Sequence, residues 1–124
     1  MTKSALKVIK DAMADLGIEY SFMEYKGVAY PYFVGEYAES PQPNEDGLQE
    51  TTFLLTGFSR TTWGELESAK QKIKNKFHQS DGLIVTTEEG VVAIFYENGL
   101  VVPTGDAELK RLQINLLIKE WSVK

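Results

Sequence analysis

His78, Ser80 and Asp81 lie close together in the chain and are of the residue types that form hydrolytic triads. His78 is the only histidine, so any triad would have to run through it, and a histidine-rich metal site is excluded. Side chains two and three residues apart at the end of a helix rarely reach the geometry of a nucleophile and its base. A histidine is also favoured near a helix C-terminus because its positive charge interacts with the helix dipole. The pattern therefore favours a structural role for His78.

The other residue types predict no catalytic, cofactor-binding or metal-ligating residue. The chain has no cysteine, so thiol catalysis, disulfides and thiolate metal sites are excluded. Its glycines are scattered and form neither a G-x-G-x-x-G motif nor a P-loop, so no nucleotide cofactor is expected. Glu88 and Glu89 fall in a predicted turn, and Asp11 and Asp15 on a polar helix face. Folding could still bring two carboxylates together as an acid/base pair, which their spacing neither excludes nor indicates.

Size and charge narrow the possible partners. The chain has 124 residues, enough for one domain with its own core. Eighteen acidic against 13 basic residues give a net charge of -5, which disfavours binding to nucleic acid because phosphate contacts need clustered lysine and arginine. The apolar positions of the first 17 residues are interrupted by charges, so neither a signal peptide nor a membrane span is expected.

Hydrophobic periodicity predicts the elements that must position these side chains. Ser4 is a candidate N-cap and Gly17 a stop for the first helix, while Thr62 and Glu65 have the spacing of a capping box at the start of the second. Pro31 places its strand at a sheet edge or marks the start of that strand. In chain order, we predict a helix over 4–16, strands over 18–25, 30–38 and 48–58, a helix over 62–77, and strands over 83–87, 91–96, 100–102 and 112–118.

Three details of this prediction concern turns and strand ends. Asn98-Gly99 is the residue pair typical of a type I′ turn, so we expect a hairpin there and a strand end at Pro103. The segment from Leu112 to Ile118 alternates apolar and polar residues, which favours a strand, with a start near 107–110 that could be helical. Apolar residues on both faces of the 48–58 segment indicate either a central strand or one buried against a neighbouring subunit.

These elements predict a single α+β domain over residues 1–124, with a mostly antiparallel sheet, two helices packed on one face, and a flexible loop at about 39–47. The loop is acidic and rich in proline. The tyrosines at 30, 32 and 37 and Trp63 are expected in the core or in an interface, and less so around a ligand pocket.

The order of these elements, together with the segments YFVGEYAESPQ, LLTGFSRTTWGELESAKQKI and LQINLLIKEW, resembles the small tail-terminator proteins of long-tailed bacteriophages and prophages. The resemblance covers about a third of the chain. It implies a non-enzymatic structural protein that forms a hexameric ring at the head-proximal end of the tail tube, stops tube growth and joins the tail to the head. Its implied partners are other copies of itself, the major tail tube protein and the head-tail connector. The implied location is the virion tail, and the host cytoplasm during assembly.

A head-to-tail ring needs two different and complementary patches on each subunit. The acidic loop and the lysine-bearing second helix are compatible with this need, and we predict an interface that includes Glu39, Glu45, Asp46, Lys72 and Lys76. Two alternatives remain open. One is a small monomeric binding or inhibitor protein of the immunity type, and the other is an enzyme whose carboxylate site is assembled only by folding.

Overall fold

The computed structural model describes residues 1–24, 30–39 and 47–122. This part of the chain contains two helices and six strands and has an α+β fold. In chain order the elements are α1 (Lys3–Asp15), β1 (Tyr20–Phe22), β2 (Tyr32–Glu39), β3 (Leu48–Ser59), α2 (Trp63–Lys76), β4 (Leu83–Thr87), β5 (Gly90–Val102) and β6 (Lys110–Ser122). Predicted residues Glu45 and Asp46, and most of the loop that contains them, lie outside the described ranges.

The six strands form one sheet in the order β1-β2-β3-β6-β5-β4. All neighbouring pairs are antiparallel except β1 and β2, which are parallel. The mostly antiparallel sheet that the sequence predicts is therefore confirmed. The segment predicted as strand 48–58 is central, between β2 and β6. Pro31 directly precedes β2, so the prediction that it marks a strand start is confirmed, while the edge position belongs to β1.

The core is a single cluster of buried apolar residues drawn from both helices and four strands. Along β3 and β6, every second residue is fully buried, as in strands with one face against the core. The strand prediction for Leu112 to Ile118 is thus confirmed, because the alternation outweighs the helix-forming residues at its start. The 107–110 segment is not helical and forms a turn that leads into β6 at Lys110.

The first helix begins earlier than predicted. Its N-cap is Thr2, whose side chain accepts a hydrogen bond from the Ala5 backbone N–H at 3.1 Å. Ser4, the predicted cap, lies within the helix and bonds elsewhere. Gly17 follows the C-cap with a φ of +70°, so its prediction as a stop is confirmed. Of the strand predicted over 18–25, only Tyr20–Phe22 pairs with β2 in the described residues, and Tyr25 lies outside them.

The prediction of a hairpin at Asn98-Gly99 is wrong. Both residues belong to β5, where Asn98 lies opposite Asn115 and Gly99 opposite Ile114. A register shift between Tyr96 and Asn98 leaves Glu97 as the extra residue of a β-bulge. The long ladder with β6 outweighs the local turn preference of Asn-Gly, and the strand continues to Val102, just before Pro103.

Candidate interaction surfaces

His78 and its neighbours meet, but not as a triad. The Nδ1 atom of His78 lies 2.9 Å from Ser80 Oγ, closer than we expected from their spacing, and 3.9 Å from Asp81 Oδ2. A triad needs the nucleophile and the orienting carboxylate on different ring nitrogens, whereas here both face Nδ1. All three residues are exposed, so no low-dielectric environment strengthens their interaction. The arrangement is that of a polar helix end.

Three carboxylates from separate parts of the sheet meet the N-terminus of α1. Glu120 on β6 accepts from the Thr2 hydroxyl at 2.6 Å and from the Thr2 N–H at 3.2 Å. Glu89 in the β4–β5 turn accepts from the Ser4 hydroxyl at 2.7 Å and from its N–H at 3.0 Å. Glu39 lies 2.6 Å from the Met1 amino group. Negative charge stabilises a helix N-terminus, so these contacts fix α1 on the sheet.

Two of these carboxylates differ in their surroundings. Glu120 is buried, with 6% of its surface exposed. Glu89 is exposed, and the hydrogen bonds from the Ser4 hydroxyl and N–H lower its pKa from the ordinary value of 4.5. Sequence reasoning missed the whole cluster, because the residues involved are far apart in the chain and carry no common spacing signal.

The described members of the predicted interface are not brought together within one chain. Glu39 lies at the N-terminal end of α1. Lys76 lies at the other end, with its Nζ 3.9 Å from Asp15 Oδ2. A helix of 13 residues is about 20 Å long, so these groups cannot form one cluster. Lys72 is exposed on α2 and lines a cleft of about 710 Å³. The other walls of this cleft are the start of β2 and the residues 17–19 that follow α1. A contact between Glu39 and Lys76 would therefore have to join two molecules.

A second cleft, of about 570 Å³, lies between α1 and the edge strand β1. Leu6, Tyr20 and Phe22 supply its apolar walls, and Lys7 and Lys10 lie at its side. Lys7 is engaged by Asp11 at 2.8 Å. Burial raises the pKa of the Tyr20 phenol, which therefore stays neutral. The cleft thus offers an apolar groove next to β1, which is the edge strand of the sheet in the described part of the chain.

The large apolar residues that remain exposed in the described ranges fall into two groups at opposite sides of the sheet. We call them the β1 group and the β5 group. The β1 group is Phe22, Met23, Tyr30 and Tyr37, on or beside β1 and β2. The β5 group is Trp63, Ile84, Leu100 and Val101, on β4, β5 and the start of α2. Neighbouring strands lie about 4.8 Å apart, so the four spacings between β1 and β5 separate Phe22 from Leu100 by roughly 19 Å along the sheet.

Trp63 continues the helical spacing of the apolar residues Leu66, Ala69, Ile73 and Phe77 along α2. The last four are buried, but Trp63 is 39% exposed and lines a cleft with Val101 and the segment up to Lys110.

The predicted capping box at the start of α2 is half formed. Thr62 accepts from the Glu65 N–H at 3.3 Å, as predicted, whereas the Glu65 carboxylate accepts from the Thr61 hydroxyl at 2.6 Å and the Ser59 hydroxyl at 3.0 Å.

The sheet face opposite the core carries a mixture of half-buried apolar and polar side chains. Amide side chains are linked across it: Gln113 donates to Asn115 at 3.1 Å, and Asn115 donates to Asn98 at 2.8 Å. Leu54, Leu117 and other half-buried apolar residues share this face. The alternation of apolar and polar residues in β6 indicates which face of the strand is buried. It does not indicate which side chains on the opposite face contact one another.

Comparison of the chain with protein-family models found no match, and comparison with curated protein sequences found none either. Within residues 1–24, 30–39 and 47–122, no group of three or more histidines, aspartates and glutamates is arranged to hold a metal ion. In the same ranges, neither helix is long and apolar enough to cross a membrane.

Proposed function

We propose that this protein is a structural component of a phage or prophage tail. In this proposal it forms a ring at the head-proximal end of the tail tube, stops tube growth and joins the tail to the head. The major tail tube protein and the head-tail connector are its proposed partners, and the virion tail its proposed location. The chain acts through surfaces, without catalysis.

The observation that carries this proposal is the division of the exposed apolar residues into the β1 group and the β5 group. Head-to-tail rings are built from two unlike patches placed on different sides of each subunit. Phe22 and Met23 on one side and Leu100 and Val101 on the other have this placement. Exposed apolar patches of this kind are typical of protein–protein contacts.

The proposal places both helices on one face of the sheet, so that the sheet edges stay accessible to neighbouring subunits. The core supports this arrangement. Buried residues of α1, such as Ile9, and of α2, such as Ile73, belong to one cluster with strand residues that share a single face, such as Phe53 and Leu116. The opposite face contributes no member of β3 or β6 to that cluster.

The test is whether the purified protein forms rings and caps tail tubes. Light scattering over a range of concentrations would give the oligomeric state, and negative-stain imaging with isolated tail tubes would show density at the tube ends. We expect rings and capped tubes. A protein that stays monomeric and never associates with tubes would overturn the proposal and favour a monomeric binding or inhibitor protein instead.

A further inference from the structure

We propose that subunits join edge to edge, with β1 of one copy adding as a strand to the free half of β5 in the next copy. This inference rests on the self-association within the proposed function and specifies its contact. It begins with an edge that β4 leaves open. β4 pairs only with Gly90 to Ile94 of β5, whereas β5 continues to Val102. In the described part of the chain, the segment from Asn98 to Val102 has β6 on one side and no strand on the other.

This open segment is bounded by the β-bulge at Glu97 and by Pro103, but its own residues carry no protective feature. Edge strands are usually protected by lysine, proline or a charged residue that points inward. The sequence from Asn98 to Val102 contains none of these, and Leu100 and Val101 are 46% and 55% exposed. Such a segment is a template for an added strand.

The other edge of the sheet offers a matching strand. Glu19 O and Met23 N are hydrogen-bonded to β2, so by alternation along the strand the backbone groups of Tyr20 and Phe22 face the free edge. The 570 Å³ cleft between β1 and α1 gives room for side chains of an incoming strand. Its apolar walls, which include Leu6, suit an aliphatic residue such as Val101.

The register places the two edges at the same height in the sheet. Tyr20 lies in the same cross-strand row as Val101, Ser21 in the row of Leu100, and Phe22 in the row of Gly99. The row from Tyr20 to Val101 passes through Phe33, Gly57 and Leu112. The row from Ser21 to Leu100 passes through Val34, Thr56 and Gln113. The row from Phe22 to Gly99 passes through Gly35, Leu55 and Ile114. The β1 strand of one copy could therefore pair with β5 of the next without a register shift between the two strands.

Two consequences follow from this level register. β1 runs parallel to β2 and β6, and so opposite to β5, which makes the new pair antiparallel. A contact without rise leads to a closed ring, whereas a contact with rise leads to a filament. In the pair, Phe22 of one copy would lie opposite Gly99 of the next, beside the Tyr96 hydroxyl and the Lys70 side chain.

The experiment uses two variants that each remove one side of the contact. One carries Leu100→Glu with Val101→Glu, and the other carries Phe22→Glu with Met23→Glu. Each alone should be monomeric, with self-association weakened by about 100-fold, as expected for the loss of roughly two buried apolar side chains. Mixed in equal amounts, they should form a heterodimer, because the unmodified β5 edge of the second variant still accepts the unmodified β1 of the first.

Thr86→Glu is the matched control, since Thr86 is an exposed residue of β4 on the same side of the sheet and belongs to neither apolar group. It should keep the wild-type assembly, and circular dichroism should show all variants folded. A wild-type protein that is monomeric at every concentration, folded variants that still assemble, or a mixture that stays monomeric would overturn the edge pairing. Capping of tail tubes is measured separately. If these variants still form rings that cap tubes, the edge pairing is wrong but the proposed function is unaffected. If the wild-type protein forms edge-paired rings that never cap tubes, the proposed function is wrong.

Discussion

Glu120 on β6 accepts a 2.6 Å hydrogen bond from the hydroxyl of Thr2, although 118 positions separate the two residues in the chain. The same hydroxyl oxygen accepts from the Ala5 N–H and so caps α1. One threonine therefore caps the start of α1 and holds this helix against β6, the last strand. Because Glu120 is almost fully buried, the loss of this partner would leave a carboxylate incompletely satisfied.

Thr2→Ala should destabilise the fold by about 2 to 3 kcal/mol, the sum of a lost N-cap and a weakened buried hydrogen bond. Thr2→Ser keeps the hydroxyl and should stay within about 0.5 kcal/mol of the wild type. Urea unfolding measures both free energies. Equal stability of the alanine and serine variants would show that the contact contributes nothing.

Stability should fall in acid partly through Glu89. The hydrogen bonds from Ser4 lower its pKa in the folded state, so the stabilisation is present above its unfolded pKa of about 4.5 and is lost as the pH falls through the lower folded value. Ser4→Ala should therefore flatten the dependence of unfolding free energy on pH below about pH 5, whereas Ser4→Thr should preserve it. Urea titrations between about pH 3 and 6 would measure the two profiles. An unchanged profile in Ser4→Ala would contradict this account.

The sequence predicts elements well where one local rule acts alone. Thr62 as a cap, Gly17 as a stop and the alternation of β6 needed only short-range patterns, and all three are confirmed. The prediction at Asn98-Gly99 was wrong because a long-range ladder with β6 competes with the turn preference. A short stretch of sequence around Asn98-Gly99 does not show that β6 will pair with it.

Two glycines of β5, Gly90 and Gly99, differ in backbone conformation, and replacing each with alanine tests whether β5 continues as a strand through Gly99. Gly90 has a φ of +140°, and a Cβ there would overlap the backbone carbonyl of Trp121. Gly90→Ala should cost about 3 kcal/mol or more. Gly99 lies in extended strand, and a Cβ there would meet the Tyr96 hydroxyl at 2.9 Å, the Lys70 side chain at 3.2 Å and the Gln113 carbonyl at 3.6 Å, none of them as close as the Trp121 carbonyl is to Gly90. Gly99→Ala should change stability by less than about 1 kcal/mol.

Thermal or urea unfolding of the two alanine variants would check this contrast. If Gly99→Ala were as damaging as Gly90→Ala, the backbone at Gly99 would need glycine, as a type I′ turn does. The strand assignment of β5 would then be wrong.

The candidate surfaces were harder to predict than the elements. Glu39, Lys72 and Lys76 were chosen for charge alone, whereas the exposed apolar residues at the two sheet edges became visible only from the strand order. Met23 and Val101 look ordinary in the sequence. Their exposure depends on where β1 and β4 end, which local patterns do not determine.

The charged residues still give an independent prediction about assembly. Lys72→Glu with Lys76→Glu should weaken self-association if the lysine face of α2 meets the acidic end of β2 in a neighbouring copy. The effect should be largest at low salt, because exposed ion pairs are screened over about 10 Å at 0.1 M salt. Sedimentation velocity at two salt concentrations would measure it. Lys3→Glu with Lys74→Glu, at two other exposed lysines, makes the same change in net charge and is the control. Equal assembly of both variants at low salt would remove Lys72 and Lys76 from the interface and leave the apolar edges as its sole basis.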